Sequence, residues 1–402
     1  MRDEHCILCV HPTLRDGLLL ECSLSIYADG DNMRKYRNQI LSGILIALAI
    51  YIGLLLFADS QGRLETDGIL ETVQTFPLYL IPLLILAQTM VIFFRFLEWH
   101  YYLGVIDARD RISLTDSLII FVATFMMVVS PGKAAELLKS VMLKIRTAET
   151  DPEGKSKGVP VARSAPIVIA ERVVDGIAVI ILMAATLLIA GDNLNLGTYQ
   201  GVNYGQLSRG LIYSSSAIIL AGLIVIQIKP LAYFCLNILG YIPVIKRLQQ
   251  PLTDFYESSR EIFALKHVIP MSIVGLGVYL SSAAGFIIVL YGFGLEITWQ
   301  LILQALFIVG VASALGALSF VPNGAGVTEI SNTGMLLALV APIQPIVTLP
   351  VAAAAALIQG FFHKWFRVLV GLTVAFLYRN RLFGEDLEAE LQEVEQEKTA
   401  SV

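Results

Sequence analysis

The chain has 402 residues, 56% of them hydrophobic and 15% charged, with a mean hydropathy of +0.72. That balance excludes a soluble globular enzyme and fits an integral membrane protein. The net charge of −5 is small and spread between loops and tail, which argues against a nucleic-acid partner; of 4 cysteines, Cys6, Cys9 and Cys22 crowd one end, which is no disulfide framework.

Residues 1–32 carry no sustained periodicity and lack the basic start, apolar stretch and small-residue cleavage site of a signal peptide. We expect them to be disordered or a mis-called start, because Met33 is followed by Arg34, Lys35, Arg37 and then an apolar run. His5, Cys6, Cys9 and His11 are zinc-ligand types, but no second pair follows at finger spacing, so no metal is expected there. With about 20 apolar residues per crossing and the positive-inside bias, residues 40–58 form the first span, leaving a basic cytoplasmic side. Residues 59–75 read as an acidic outside loop. Residues 76–97 return, ending at Arg95, Glu98, Trp99 and His100 before Arg109 and Arg111.

Residues 117–145 then break. Ser130-Pro131-Gly132 interrupts an apolar run, and Lys133, Glu136 and Lys139 charge it at once. Proline removes a donor and clashes with the preceding turn, and a helix broken in hydrocarbon leaves costly unpaired backbone groups. Both flanks are basic and each limb is about 13 residues, too short to span, so this stretch reads as a re-entrant helical hairpin. Residues 165–190 cross outward, 211–228 cross back, and the basic, aromatic segment 230–266 is expected along the cytoplasmic interface. Residues 268–292 cross outward. Residues 298–339 hold a second break at Pro322, Asn323, Gly324 and Gly326; residues 347–378 form a long last crossing, and 379–402 an acidic cytoplasmic tail.

Pro131 precedes Arg172 by 41 positions and Pro322 precedes Lys364 by 42, so Glu171-Arg172-x-x-Asp175 falls where His363-Lys364-x-x-Arg367 falls. The expected fold is therefore an all-α polytopic membrane protein with an inverted repeat. Each half, 33–190 and 191–378, would hold about three spans and one re-entrant helical hairpin, about eight apolar segments in all. The alternative counts each long hairpin limb as a full span, which leaves both termini on the same cytoplasmic side.

Charges within spans are expensive and mark function by default. Two readings compete for them. Intramembrane ion pairs could tie helices together, although buried pairs often add little net stability. Alternatively, Lys133, Arg172, Lys364 and Arg367, with His363 alongside, hold an anionic headgroup, while Glu136, Glu171, Asp175 and Glu329 balance them or face a cationic part of it. In that reading Arg172 and Lys364 contact a phosphate from opposite halves, and the half-helix starts after Gly132 and Gly324 add free backbone donors.

The segments SPGKAAELLKSVML, APIVIAERVVDGIAVI and VPNGAGVTEI resemble the signature regions of the transmembrane domain of lysylphosphatidylglycerol synthases and their stand-alone flippase-like relatives. The resemblance runs from about Met33 to Tyr378. It implies a membrane domain that moves aminoacylated phosphatidylglycerol between leaflets, with Pro131, Gly132, Lys133, Glu136, Glu171, Arg172, Asp175, Pro322, Gly324, Gly326 and Glu329 at motif positions. In that family a separate soluble domain attaches the amino acid from a charged tRNA. The stretch after Tyr378 is too short for such a domain, so the enzymatic activity is not expected to transfer. Asn323 departs from the glycine common in relatives.

These readings lead to a flippase-like protein of the plasma membrane with cytoplasmic termini, translocating an anionic or aminoacylated phospholipid or other lipid-linked substrate without a cofactor. Its partners would be membrane lipid and a separate lipid-modifying enzyme. The alternatives are a membrane glycosyltransferase or an accessory protein acting on lipid-linked phosphates.

Overall fold

The computed structural model describes residues 68–127, 134–149, 158–190, 198–199, 201–230, 233–234, 256, 259–319, 321–378 and 382. Residues 1–67, with the expected start at Met33 and first span, lie outside the described residues. So do the first break at 128–133, most of 230–266 and nearly all of the tail.

Among the described residues six helices are long and apolar enough to cross a membrane, and two shorter apolar helices accompany them. After the short α1 (Ile69–Gln74), α2 runs from Ile81 to Val105 with a proline in its first turn. Proline fits there because the first helical N–H groups have no partner to lose. α3 (Leu114–Ala123) is capped by Ser113, whose Oγ accepts from Asp116 N, and a 3₁₀ turn, Thr124–Met127, closes it. α4 (Ala134–Glu149) and the 30-residue α5 (Val161–Ala190) follow. Two two-residue strands, β1 (Thr198–Tyr199) and β2 (Val202–Asn203), pair antiparallel before α6 (Tyr204–Gln227), which Asn203 caps. The second half holds α7 (Leu265–Gly292), α8 (Trp299–Leu318), α9 (Val327–Met335), α10 (Leu349–Gly360) and α11 (Arg367–Leu377). A π-helical stretch, Leu336–Val340, extends α9, and another, Phe361–Phe366, joins α10 to α11. The protein is an all-α polytopic membrane protein.

Two expectations change. The return span does not end at residue 97: α2 continues through Arg95, Glu98, Trp99 and His100, and Glu98 and Trp99 are buried. Neighbouring helices, α5 and α7, make this possible by enclosing that end of α2. In the second break, the first limb α8 has 20 residues and is long enough to cross alone, whereas α3 and α4, flanking the first break, have 10 and 16.

Two apolar clusters organise the packing. One gathers Leu84 and Val91 of α2, Ala178 and Leu182 of α5, Val278 and Phe286 of α7, and much of α8 and α10. The other gathers Trp99 and Tyr102 of α2, Ile167 and Val174 of α5, and Met271 of α7. On all three helices one cluster gives way to the other at the same level. Arg95 and Glu98 on α2 and Asp175 on α5 lie at this changeover, and Tyr279 of α7 stands at the edge of the first cluster.

α2 and α7 pack antiparallel through glycines. A Cβ at Gly292 would meet Phe76 and Leu80, one at Gly285 would face Gln88, and one at Gly275 would lie 3.1 Å from Glu98 Oε1. With little hydrophobic drive between helices in lipid, such close backbone approach is what holds them together.

Candidate functional site

The second break explains itself residue by residue. Pro322–Gly324 forms a single 3₁₀ turn, with Asn323 at φ 55 and Gly324 at φ 61. Asparagine is among the few non-glycine residues that tolerate the left-handed region, so it stands here without glycine's help. Gly324 has no such substitute. A Cβ there would sit 2.9 Å from Gly316 Cα, backbone against backbone. α9 then starts at Gly326, whose N–H donates to Glu329 Oε2 at 2.8 Å. Glycine cannot return the bond, so only the glutamate half of a capping box exists.

Glu329 is buried, and its counter-charge comes from the last span. Lys364 Nζ donates to Glu329 Oε1 and Oε2 at 2.8 and 3.0 Å, to Gly324 O at 3.3 Å, and to Thr328 Oγ1. One ammonium thus satisfies both the carboxylate and a carbonyl freed by the break. Lys364 belongs to the Phe361–Phe366 π stretch, the kind of local insertion that often marks functional sites.

The first half repeats this lock with the charges exchanged. Lys139 of α4 donates to Glu171 of α5 at 3.1 and 2.8 Å, both side chains buried. Its Nζ also lies 4.9 Å from the Trp99 ring centre and 5.5 Å from that of Phe121, so two aromatic faces complete its surroundings. In each half the helix after the break is tied to the next long span by a Lys–Glu pair. Lysine sits on the helix after the break in the first half and on the long span in the second. Matching the two Lys–Glu pairs sets Lys364 against Glu171, one position from the Arg172 that the spacing implies.

Between the locks lies an arginine cluster. Asp175 Oδ2 accepts from Arg95 Nη1 and from Arg172 Nη1, both at 3.0 Å, and Arg172 Nη2 approaches Glu171 to 3.9 Å. Arg172 remains 42% exposed while its partners are buried. Arg367 donates Nε to its own helix, at His363 O (2.6 Å), and lies within electrostatic reach of Arg95, Arg172, Asp175 and Tyr279. Ser282 Oγ and His363 Nδ1 are 3.3 Å apart, and Gln359 Nε2 donates to Ser282 O at 3.1 Å.

Of the expected site residues, Glu171, Arg172, Asp175, His363, Lys364, Arg367 and Glu329 thus fall into two locks and one cluster. Glu136 lies in α4 with its side chain outside the described part, and Pro131, Gly132 and Lys133 lie outside the described residues. Arg95, Glu98, Lys139, Tyr279 and Thr328 join the assembly without having been placed there by the sequence reading. The available signal for Arg95 and Glu98 was that the apolar run does not stop at residue 97: Tyr101, Tyr102, Leu103 and Val105 follow.

Compared with known proteins, residues 44–371 match the family described as the lysylphosphatidylglycerol synthase TM region. No curated protein and no solved structure gives a match.

Proposed function

The chain belongs to the lysylphosphatidylglycerol synthase TM-region family, and from that premise we propose that it is flippase-like, moving an anionic or aminoacylated phospholipid, or another lipid-linked substrate, between leaflets. One observation carries this reading. Arg95 and Arg172 both donate to Asp175 at 3.0 Å, and Arg367 of the last span lies within electrostatic reach of the same carboxylate. Arg172 is also 42% exposed while Asp175 is buried, so a phosphate can reach its guanidinium from outside the packed core. The arginine fork also matches phosphate geometry and can make a charge-assisted, two-pronged contact.

Arg172 and Arg367 are the proposed phosphate contacts. Lys364 and Glu329 then hold the second break in shape and reach the lipid only if their lock opens. The charge-exchanged locks support an inverted repeat, with the first break re-entering from the cytoplasm and both termini on that side of the plasma membrane. Helices broken at mid-membrane and facing one another across a repeat are the plan on which many transporters build their substrate site.

The test is reconstitution of the purified chain into liposomes with fluorescent phosphatidylglycerol, its lysylated form, and lipid-linked sugars. Leaflet exchange is read by quenching from outside. Exchange of the phosphatidylglycerol forms above protein-free liposomes supports the reading. No exchange of any of them, or chemical change of the lipid-linked sugar instead, overturns it.

A further inference from the structure

Glu98 stands apart from every other carboxylate in the polar layer. Its side chain is 0% exposed, and neither carboxylate oxygen has a hydrogen-bond partner among the described residues. The charged groups around it are otherwise engaged. On its own helix, Arg95 donates to Asp175. On α5, Arg172 also donates to Asp175, and Glu171 is held by Lys139 of α4. α7 contributes Tyr279, within electrostatic reach, and Gly275, whose lack of a side chain leaves the space that Glu98 occupies. Tyr102, one turn on, is buried, and its hydroxyl has no hydrogen-bond partner among the described residues. From the last span, Arg367 lies within electrostatic reach of Arg95 and Asp175, and Lys364 is locked to Glu329.

An ionised carboxylate buried without a partner is far more costly than a neutral one, and such a group takes up a proton instead. A metal cation is a poorer fit. It needs several oxygen ligands, and among the described residues no group of three or more His, Cys, Asp or Glu is arranged to supply them. Asp175 already takes both nearby arginines and Glu171 takes the Lys139 ammonium, so a proton is what brings Glu98 into balance.

We propose that Glu98 is a proton-binding site, and that the proton it holds is exchanged as lipid crosses the protein. This rests on the lipid-moving reading above. The step is an acid–base one: an O–H bond forms at a Glu98 carboxylate oxygen on uptake and breaks on release, and no electrons are transferred. A phosphate arriving at Arg172 adds negative charge close to Glu98. That charge favours the protonated carboxyl, and by reciprocity the proton favours the lipid. Proton and anionic lipid therefore bind together and travel in the same direction.

The test uses the full chain in liposomes with a trapped pH-sensitive dye and fluorescent phosphatidylglycerol added to the outer leaflet. The wild type should acidify the interior in step with lipid entry and speed up when the outside is made more acidic. Glu98→Gln copies the neutral carboxyl, so it should fold like the wild type and still equilibrate lipid, with both the proton movement and the response to the pH gradient lost. A second measurement is independent of lipid: infrared spectra of the wild type should contain a protonated carboxylic acid band that Glu98→Gln lacks. Wild-type lipid movement with no proton movement overturns the coupling alone. A missing infrared band, or a Glu98→Gln protein that does not fold, overturns the proton site. A wild type that moves no lipid but shows the band overturns the lipid reading and leaves the proton site standing.

Discussion

The Lys364–Glu329 lock gives the sharpest prediction. Glu329→Gln keeps the shape and leaves an oxygen for the Gly326 N–H, so the main loss is one charge opposite a buried ammonium. Stranding a buried charge in this way costs about 3–5 kcal/mol. Lys364→Met strands the carboxylate instead, at a similar cost, with its remaining donors, Gly326 N and Thr328 Oγ1, still in place. Removing both partners leaves no uncompensated charge, so the double variant should recover about 2–3 kcal/mol relative to the sum of the single losses. Unfolding of all four proteins in the same detergent, followed by intrinsic fluorescence against denaturant, measures the cycle. Additive losses, with no recovery in the double variant, would refute the view that these residues form one neutralised unit holding the second break.

Three other predictions concern the arginines, the topology and the backbone at the break. Arg172→Ala and Arg367→Ala should each abolish exchange of fluorescent phosphatidylglycerol while keeping most of the wild-type melting temperature, and Arg172→Lys should restore part of it because lysine cannot form the two-pronged contact; loss of stability in proportion to transport would return both arginines to a purely structural role. Cysteines placed at Ser113 and Ser156 should react with an impermeant reagent from the cytoplasmic side only, and labelling from opposite sides would make the first broken segment a true span. Gly324→Ala should lower stability by more than about 1 kcal/mol, since it combines left-handed strain with a contact against the Gly316 backbone; a melting temperature equal to wild type would contradict the tight approach of α8 to the break.

The chain's own order of residues determined the spans, the second break and most of the charged positions. Each of these is a local property. A run of apolar residues, a proline beside glycines, or charges three or four apart on a helix face can be read without knowing what lies opposite. The family resemblance rested on the same short stretches. Partnership is not local, and there the reading ran out. In the sequence Arg95 stands at the mouth of a span, because its counter-ion, Asp175, is 80 positions away and comes beside it only when α2 packs against α5. Lys139 charged the segment after the first break, but the sequence did not reveal that Glu171, 32 positions on, and two aromatic faces would enclose it. Counting from the prolines matches Lys364 with Arg172, whereas the two Lys–Glu pairs match it with Glu171. Helix rotation decides which of two adjacent residues points inward. Glu98 shows the same limit most sharply: no sequence pattern tells an exposed glutamate at a span's end from one sealed against a glycine of another helix. Burial and the lack of a partner exist only once α2, α5 and α7 have come together.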